Sequence, residues 1–413
     1  MSAVWHPFFQ HATEPVPPRI THAEGARLTT ADGTILIDAI SSWWVTTHGH
    51  RYPPIMAAIR AATEDLDQII FAGLTHAPAE ALAEGLVQMA PEGLTRVFFS
   101  DSGSTSVEVA LKMALGFWAH SGQPRHRIAV IEDSYHGDTI GTMSVGERGV
   151  FNAPYMPLLF DVARLPFPAG DGAATIAAFE ALADGGEIAA LILEPLVLGS
   201  GGMRMYPPAV LASLAQVARR HEILLIADEV MTGWGRTGTL WACDQAGVAP
   251  DILCTSKGLT GGSLPLAATL ASEPIFAAHY STDRRRTFFH SSSYTANPIA
   301  CAAALANLEV WRSEPVMERI ATLIARQSDH LAVLADDPRF ENPRQCGTIA
   351  ALDLKVPAAG YLAEAGPRMR ADFMARGVLL RPLGNTIYVL PPYGITEGEL
   401  AKVWDAIAQV RPG

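Results

Sequence analysis

Only four lysines occur among the 413 residues: Lys112, Lys257, Lys355 and Lys402. An unprotonated lysine amine condenses with carbonyl compounds to a Schiff base, so each is a candidate nucleophile. Lys112 falls within a helical pattern, where a solvated or snorkelling amine is expected. Lys402 lies on the last helical stretch, and Lys355 ends a strand ahead of a Pro-Ala-Ala-Gly loop; both are surface positions. Lys257 differs. It follows the apolar run Asp-Ile-Leu-Cys-Thr-Ser and precedes Gly-Leu-Thr-Gly-Gly-Ser. That places it at the carboxyl end of a buried strand, the edge where open α/β sheets bind ligands. The glycines beyond it let a bulky group come close to the backbone. A lysine that merely closes a strand is the plainer account, and its neighbours must decide.

Asp228 stands 29 residues earlier and closes another apolar run, 223–227. An acidic group at the same sheet edge can keep a pyridine nitrogen protonated, which turns such a ring into an electron sink. Ser102-Gly103-Ser104 follows the run 96–100 and opens a helical pattern. Free backbone N–H groups at a helix start, with two hydroxyls, make a phosphate cradle; serines there are also routine helix caps. Tyr135-His136-Gly137 follows the run 127–132 and offers a ring to stack on a cofactor, or simply an aromatic packed in a turn. Each feature is ambiguous by itself. Together at strand ends they point to pyridoxal phosphate carried on Lys257.

Two patterns point elsewhere and are set aside. Gly233-Trp234-Gly235-Arg236-Thr237-Gly238 fits a dinucleotide fingerprint by letter. A dinucleotide site needs its first glycine at the strand–helix turn, and here 228–232 intervene ahead of a poor helix opening. His48-Gly49-His50 has no third ligand at useful spacing, so core or loop histidines are expected and no metal site.

The elements that position these residues alternate. Helical patterns cover 54–67, 77–89, 104–120, 174–182 and 208–221, with strand-like runs at 96–100, 127–132, 189–194, 223–228, 252–255 and 265–270. The runs are apolar throughout, as strands buried on both faces should be. The pattern predicts an α/β fold with a mainly parallel central sheet and helices on both faces. The ends read differently: 27–38 as a hairpin turning at Asp32-Gly33, a long helical stretch after Cys301, strands at 347–355 and 378–381, and a last helix from Thr396. Residues 1–46 and 300–413 are therefore expected to form one smaller α+β domain, with 47–299 as the large cofactor domain.

Composition narrows the class further. A net charge of -12 excludes a typical nucleic-acid binder, and Arg284-Arg285-Arg286 reads as a solvated turn. The four cysteines lie far apart with no metal spacing, as in a reduced cytoplasmic protein. No apolar stretch reaches the ~20 residues that a membrane span needs, and the N-terminus carries no export signal. A hydrophobic fraction of 49% allows a large core and leaves apolar surface for a partner subunit.

Asp228-Glu229, the glycine motif 233–238 and Ser256-Lys257-Gly258-Leu259-Thr260-Gly261-Gly262 together resemble the class III, or ω-type, aminotransferases of fold type I. The match runs from Trp5-His6-Pro7 to Pro391-Pro392-Tyr393. Ser41-Ser42-Trp43-Trp44 and the Arg381-Pro382 piece look like the branch that aminates 8-amino-7-oxononanoate in biotin synthesis. The resemblance implies that Lys257 binds the cofactor aldehyde and moves a proton, that Asp228 pairs with the pyridine nitrogen, and that Tyr135 stacks on the ring. It implies cofactor contacts from Ser102, Gly103, Ser104 and His136, and substrate contacts from Trp43, Trp44, Tyr135, Ser292, Tyr388 and Arg381, the last binding a carboxylate. It further implies a homodimer with shared sites, in which Ser293 reaches the other protomer's phosphate. The implied donor is S-adenosylmethionine; the alternatives are lysine, or a generic ω-aminotransferase acting on amines, β-alanine or 4-aminobutyrate. Two departures fall in the donor pocket. The usual His-Gly-Pro-Thr reads His290-Ser291-Ser292-Ser293, and the usual tyrosine after His-Pro is Phe8. Ser293 keeps the hydroxyl and loses one methyl, worth about 0.8 kcal/mol of burial.

Overall fold

The apolar runs pair into one seven-stranded sheet, in the spatial order Leu94–Ser100, Ala267–Ser272, Ile252–Thr255, Leu224–Asp228, Ile188–Leu193, Arg127–Ile131, Ala163–Leu165. Among them Ala267–Ser272 runs antiparallel to both of its neighbours, and the other pairings are parallel. The computed structural model describes residues 3–357 and 359–411; the Met-Ser pair that begins the N-terminal reading lies outside the described residues.

Strand composition explains the layers. Leu225 and Ala227 join one apolar cluster while Leu224 and Ile226 join another. The same alternation separates Ala129 and Ile131 from Ile128 and Val130. Both faces are thus covered, which is why no polar alternation shows in these strands. The helix Gly103–His120 brings Val107, Ala110, Leu111 and Trp118 to one face. The helix Pro208–Arg220 brings Val210, Leu211 and Leu214 to the other.

The chain ends meet. Arg27–Thr30 and Ile35–Asp38 form the expected antiparallel hairpin, and Gly33 takes a φ of 87° at its turn. Ile20–Glu24 adds a third strand to it. Val378–Leu379 then pairs in parallel with Ile35–Asp38, so residues from both ends share one sheet. A separate sheet combines Phe340–Cys346, Ile349–Leu354 and Thr386–Val389.

Several elements differ from the sequence reading. The first helix ends at Ala62, where the Thr63 hydroxyl turns back onto the Arg60 carbonyl. The long helical stretch is two helices, Pro298–Ser313 and Val316–Ala335, separated at Glu314-Pro315, because proline cannot continue the preceding hydrogen-bond ladder. Phe340–Cys346 is a bulged edge strand; its exposed Glu341 and Asn342, with Pro343, hid it from an apolar-run criterion. Ser41–Trp44 is one turn of left-handed helix, with φ of 51°, 46°, 69° and 73°. For residues that carry a Cβ this costs about 1–2 kcal/mol each, so the surrounding structure must impose it.

Candidate active site

Five parallel strands end on the same edge of the sheet, and their ends deliver the site. Leu94–Ser100 leads to Gly103 and Ser104, Arg127–Ile131 to Tyr135 and His136, Ile188–Leu193 to Glu194, Leu224–Asp228 ends in Asp228, and Ile252–Thr255 leads to Lys257. One cavity is lined by all of these with Trp44, Gly137, Val230 and Met231. A second, of about 360 Å³, shares Trp44, Tyr135 and Lys257 with it and adds Phe8, Trp43, Phe151, Tyr361, Arg381 and Tyr388. The inner cavity therefore opens past the lysine into a larger aromatic chamber.

Lys257 is partly buried and its backbone takes the left-handed region at φ 46°. Its Nζ lies 4.6 Å from the centre of the Trp44 ring. Burial pulls its pKa down to about 8, against the opposing pull of Asp228 and Glu194. Its pedestal is dense. A Cβ at Gly258 would meet the Trp234 side chain at 2.7 Å, and the Trp234 indole N–H donates to Thr255 Oγ1 at 2.8 Å. Asn307 donates to the carbonyls of Gly258 and Leu259, each at 3.0 Å, and its Oδ1 lies 2.8 Å from His48 Nε2. The glycine motif 233–238 and His48 thus hold up the lysine turn. His50 bonds to Asp38 instead, at 2.8 Å.

Asp228 is buried, and its Oδ2 accepts the Nδ1–H of His136 at 2.7 Å. Glu194 stands beside them. Its two oxygens accept the backbone N–H groups of Tyr135 and Gly199, each at 2.9 Å, and burial pushes its carboxyl up to about 7. The sequence held a signal for it, because Glu194 closes a buried strand just as Asp228 does. Burial raises the Tyr135 phenol well above its usual range.

Ser102 does not line the cavity. Its hydroxyl accepts the Thr105 N–H at 3.2 Å and caps the helix. Gly103 and Ser104 do line it, at the first turn of a helix, where backbone N–H groups lack intrahelical acceptors. Ser292 bonds to Asp101, and exposed Ser293 offers its carbonyl to Gln68 at 2.8 Å; neither lines the inner cavity or the outer chamber. In the outer chamber, Arg381 donates to the Phe8 carbonyl at 2.8 Å, and its guanidinium lies 5.0 Å from the centre of the Trp43 ring. Buried Tyr388 packs edge-on to Trp44.

This geometry of strand-end lysine, buried aspartate and helix start coincides with what comparison shows. A family model described as aminotransferase class-III matches residues 8–410. The chain belongs to the class-III aminotransferases. It is 50% identical to the adenosylmethionine-8-amino-7-oxononanoate aminotransferase of Synechococcus elongatus, covering 98% of each chain. It is 38% identical to the enzyme of that name from Geobacter sulfurreducens, over 98% of this chain and 94% of the relative. Among solved structures, the adenosylmethionine-8-amino-7-oxononanoate aminotransferase of Methanocaldococcus jannaschii superposes with a TM-score of 0.94 at 33% identity, covering 99% of this chain and 97% of that one. A PLP-bound amine transaminase from an uncultivated Pseudomonas species gives 0.92 at 34% identity, covering 99% and 98%.

Pyridoxal phosphate is the cofactor of this class, and the inner cavity fits it. A Cβ at Gly103 would lie 2.6 Å from a Val230 methyl, and one at Gly137 would collide with the Ser104 hydroxyl, so glycines let these backbone segments close together around the cradle. The buried His136 Nε2 has no hydrogen-bond partner among the described residues, and Lys257, Asp228 and Glu194 supply further polar groups in the same cavity.

Proposed function

We propose that this enzyme aminates 8-amino-7-oxononanoate to 7,8-diaminononanoate in biotin synthesis, with S-adenosylmethionine as the amino donor. The observation that carries the reading is Arg381, a guanidinium that makes no ion pair among the described residues and lines an aromatic chamber leading to Lys257. A keto acid with a remote carboxylate suits that chamber: Arg381 takes the carboxylate by charge-assisted hydrogen bonds, and Phe8, Trp43, Trp44 and Tyr388 flank the hydrocarbon chain. The names of the relatives above support the same substrate.

When bound, pyridoxal phosphate supplies an aldehyde that takes up the amino group and a ring that delocalises the electron pair left by a departing proton. Lys257 would hold the cofactor aldehyde and its amine would carry the proton; with a pKa of about 8 that amine is available near neutral pH. Asp228, oriented by His136, pairs with the ring nitrogen. Tyr135 stacks on the ring, its backbone N–H held by Glu194. Gly103 and Ser104 bind the phosphate through the helix start.

Exposed Ser293 suits a phosphate ligand delivered to a second protomer. Exposed Ile70, Leu74, Phe289 and Tyr294 lie near it in sequence or across the Gln68 bond, and they support a homodimer with shared sites. We assign residues 47–299 to the large domain and 1–46 with 300–413 to the small one, a division supported by the sheet that both ends build. No helix among the described residues is long and apolar enough to cross a membrane. The four free cysteines support a cytoplasmic setting.

The test is a half-reaction. Holoenzyme is mixed separately with S-adenosylmethionine, lysine and simple amines, and the cofactor absorbance is followed. Conversion to the amine form by S-adenosylmethionine, reversed by 8-amino-7-oxononanoate, is expected. Conversion by lysine alone reassigns the donor. Turnover of amines, β-alanine or 4-aminobutyrate with no response to the oxononanoate overturns the reading in favour of a generic ω-aminotransferase.

A further inference from the structure

The left-handed turn Ser41–Trp44 carries two aromatic walls of the site, yet none of its residues is a glycine. Its conformation is imposed from outside. The fully buried Asp38 collects four donors: the backbone N–H of Ile40 at 3.3 Å and of Ser42 at 2.9 Å, the Ser42 hydroxyl at 2.7 Å and His50 Nε2 at 2.8 Å. The Ser41 hydroxyl donates to the Leu390 carbonyl at 2.8 Å. Arg236 closes the exit of the turn, donating to the Thr46 carbonyl at 2.9 Å. Asp38 ends the strand Ile35–Asp38, so the anchor is itself fixed in a sheet.

The turn ends at the chemistry. Trp44 packs on the Lys257 amine, and Trp43 meets both the Arg381 guanidinium and the Phe8 ring, whose centre is 5.3 Å away. A turn relaxed to right-handed geometry would move both indoles. Residues in the left-handed region persist only where their surroundings over-determine them, and Asp38 is the group that meets both the backbone and the side chain of Ser42.

We propose that Asp38, with Ser42 and His50, is a positioning latch. It holds Trp43 and Trp44 in register with Arg381 and Lys257 and thereby sets recognition of the amino acceptor. The latch rests on the reading of this chamber as the acceptor site. Asparagine at position 38 can accept through its one oxygen but cannot accept from His50 and the Ser42 hydroxyl through its amide nitrogen. Glutamine at position 50 keeps an N–H donor near the place of Nε2, whereas leucine does not.

The experiment compares holoenzymes carrying Asp38→Asn, Ser42→Ala, His50→Leu and His50→Gln. Asp38→Asn and His50→Leu are expected to raise KM for the oxononanoate about ten-fold, with kcat changed far less, because misplaced walls weaken binding of the whole substrate. Near-ultraviolet circular dichroism from the tryptophans should change in the same variants, and His50→Gln should restore both readouts. Lower thermal stability with KM and the tryptophan signal unchanged would overturn the latch. If Asp38→Asn does not fold, Ser42→Ala and His50→Leu decide by the same readouts. If the wild type itself ignores the oxononanoate, the functional reading fails separately. The tryptophan signal and its rescue by His50→Gln then still judge the latch.

Discussion

The Nδ1–H of His136 donates to the Asp228 carboxylate at 2.7 Å, with both side chains buried. The second oxygen of Asp228 accepts the Val230 N–H at 3.1 Å. His136→Phe removes one of these donors and leaves a buried acceptor short, at a cost of about 1–3 kcal/mol. Cofactor affinity and kcat should both fall, by about ten-fold or more. Asp228→Ala, which removes the carboxylate proposed to pair with the ring nitrogen, should lower kcat further, by about a hundred-fold or more. Single-turnover absorbance kinetics with either variant reads the difference.

Lys257 gives a pH prediction. Burial lowers its pKa to about 8, so the reactive amine fraction rises as pH climbs through 8 and is nearly complete before 10. The rate at which cofactor-free enzyme captures pyridoxal phosphate should follow that curve, with a midpoint near 8 rather than near 10.5, the value for a free lysine. Lys257→Ala should show no such phase and no transamination.

Glu194 titrates in the opposite sense. Burial raises its folded pKa to about 7, above the 4.5 of an ordinary glutamate. Between those values the folded state binds more protons than the unfolded state, so stability is full below 4.5 and falls as pH rises towards 7. Glu194→Gln should remove this component. Denaturant midpoints measured from pH 4.5 to 7 should then fall more steeply in the wild type than in the variant.

Arg381 separates binding from chemistry. Arg381→Ala should raise KM for the keto acid by about ten- to a hundred-fold, the loss expected for charge-assisted hydrogen bonds of about 1.5–3 kcal/mol. Donor half-reactions with amines that lack a carboxylate should change little. Equal losses for both substrate types would remove Arg381 from carboxylate binding.

Ser102 is expected to act on stability. Its hydroxyl caps the helix Gly103–His120, so Ser102→Ala should cost about 1 kcal/mol of folding free energy. Chemical denaturation of the cofactor-free protein should show the loss in full, since capping does not depend on phosphate.

The sheet was legible because its strands are apolar on both faces; Ile252–Thr255 and the strand ending at Asp228 needed no tertiary information beyond burial. The same logic found Lys257 and Asp228, and it could have found Glu194. Other parts were hidden for physical reasons. The left-handed turn at Ser41–Trp44 goes against the preference of every residue in it, so propensity points the wrong way. The Trp234–Gly258 packing joins segments whose contact no local pattern encodes. Ser292 and Ser293 carry hydroxyls that line neither the inner cavity nor the outer chamber, so a single chain's pattern says little of what they touch.

Ala267–Ser272 lies beside Ile252–Thr255 and runs against it, so residues 256–266 form a short return within one sheet, closed by the Ser256 hydroxyl on the Leu266 carbonyl. The nucleophile therefore rides on a fixed hairpin rather than on a gate. Amide hydrogen exchange in this return should be slow and should stay slow through turnover. For engineering, chamber walls away from Trp44, whose ring packs on the Lys257 amine, can be rebuilt for new amines with little risk to the lysine.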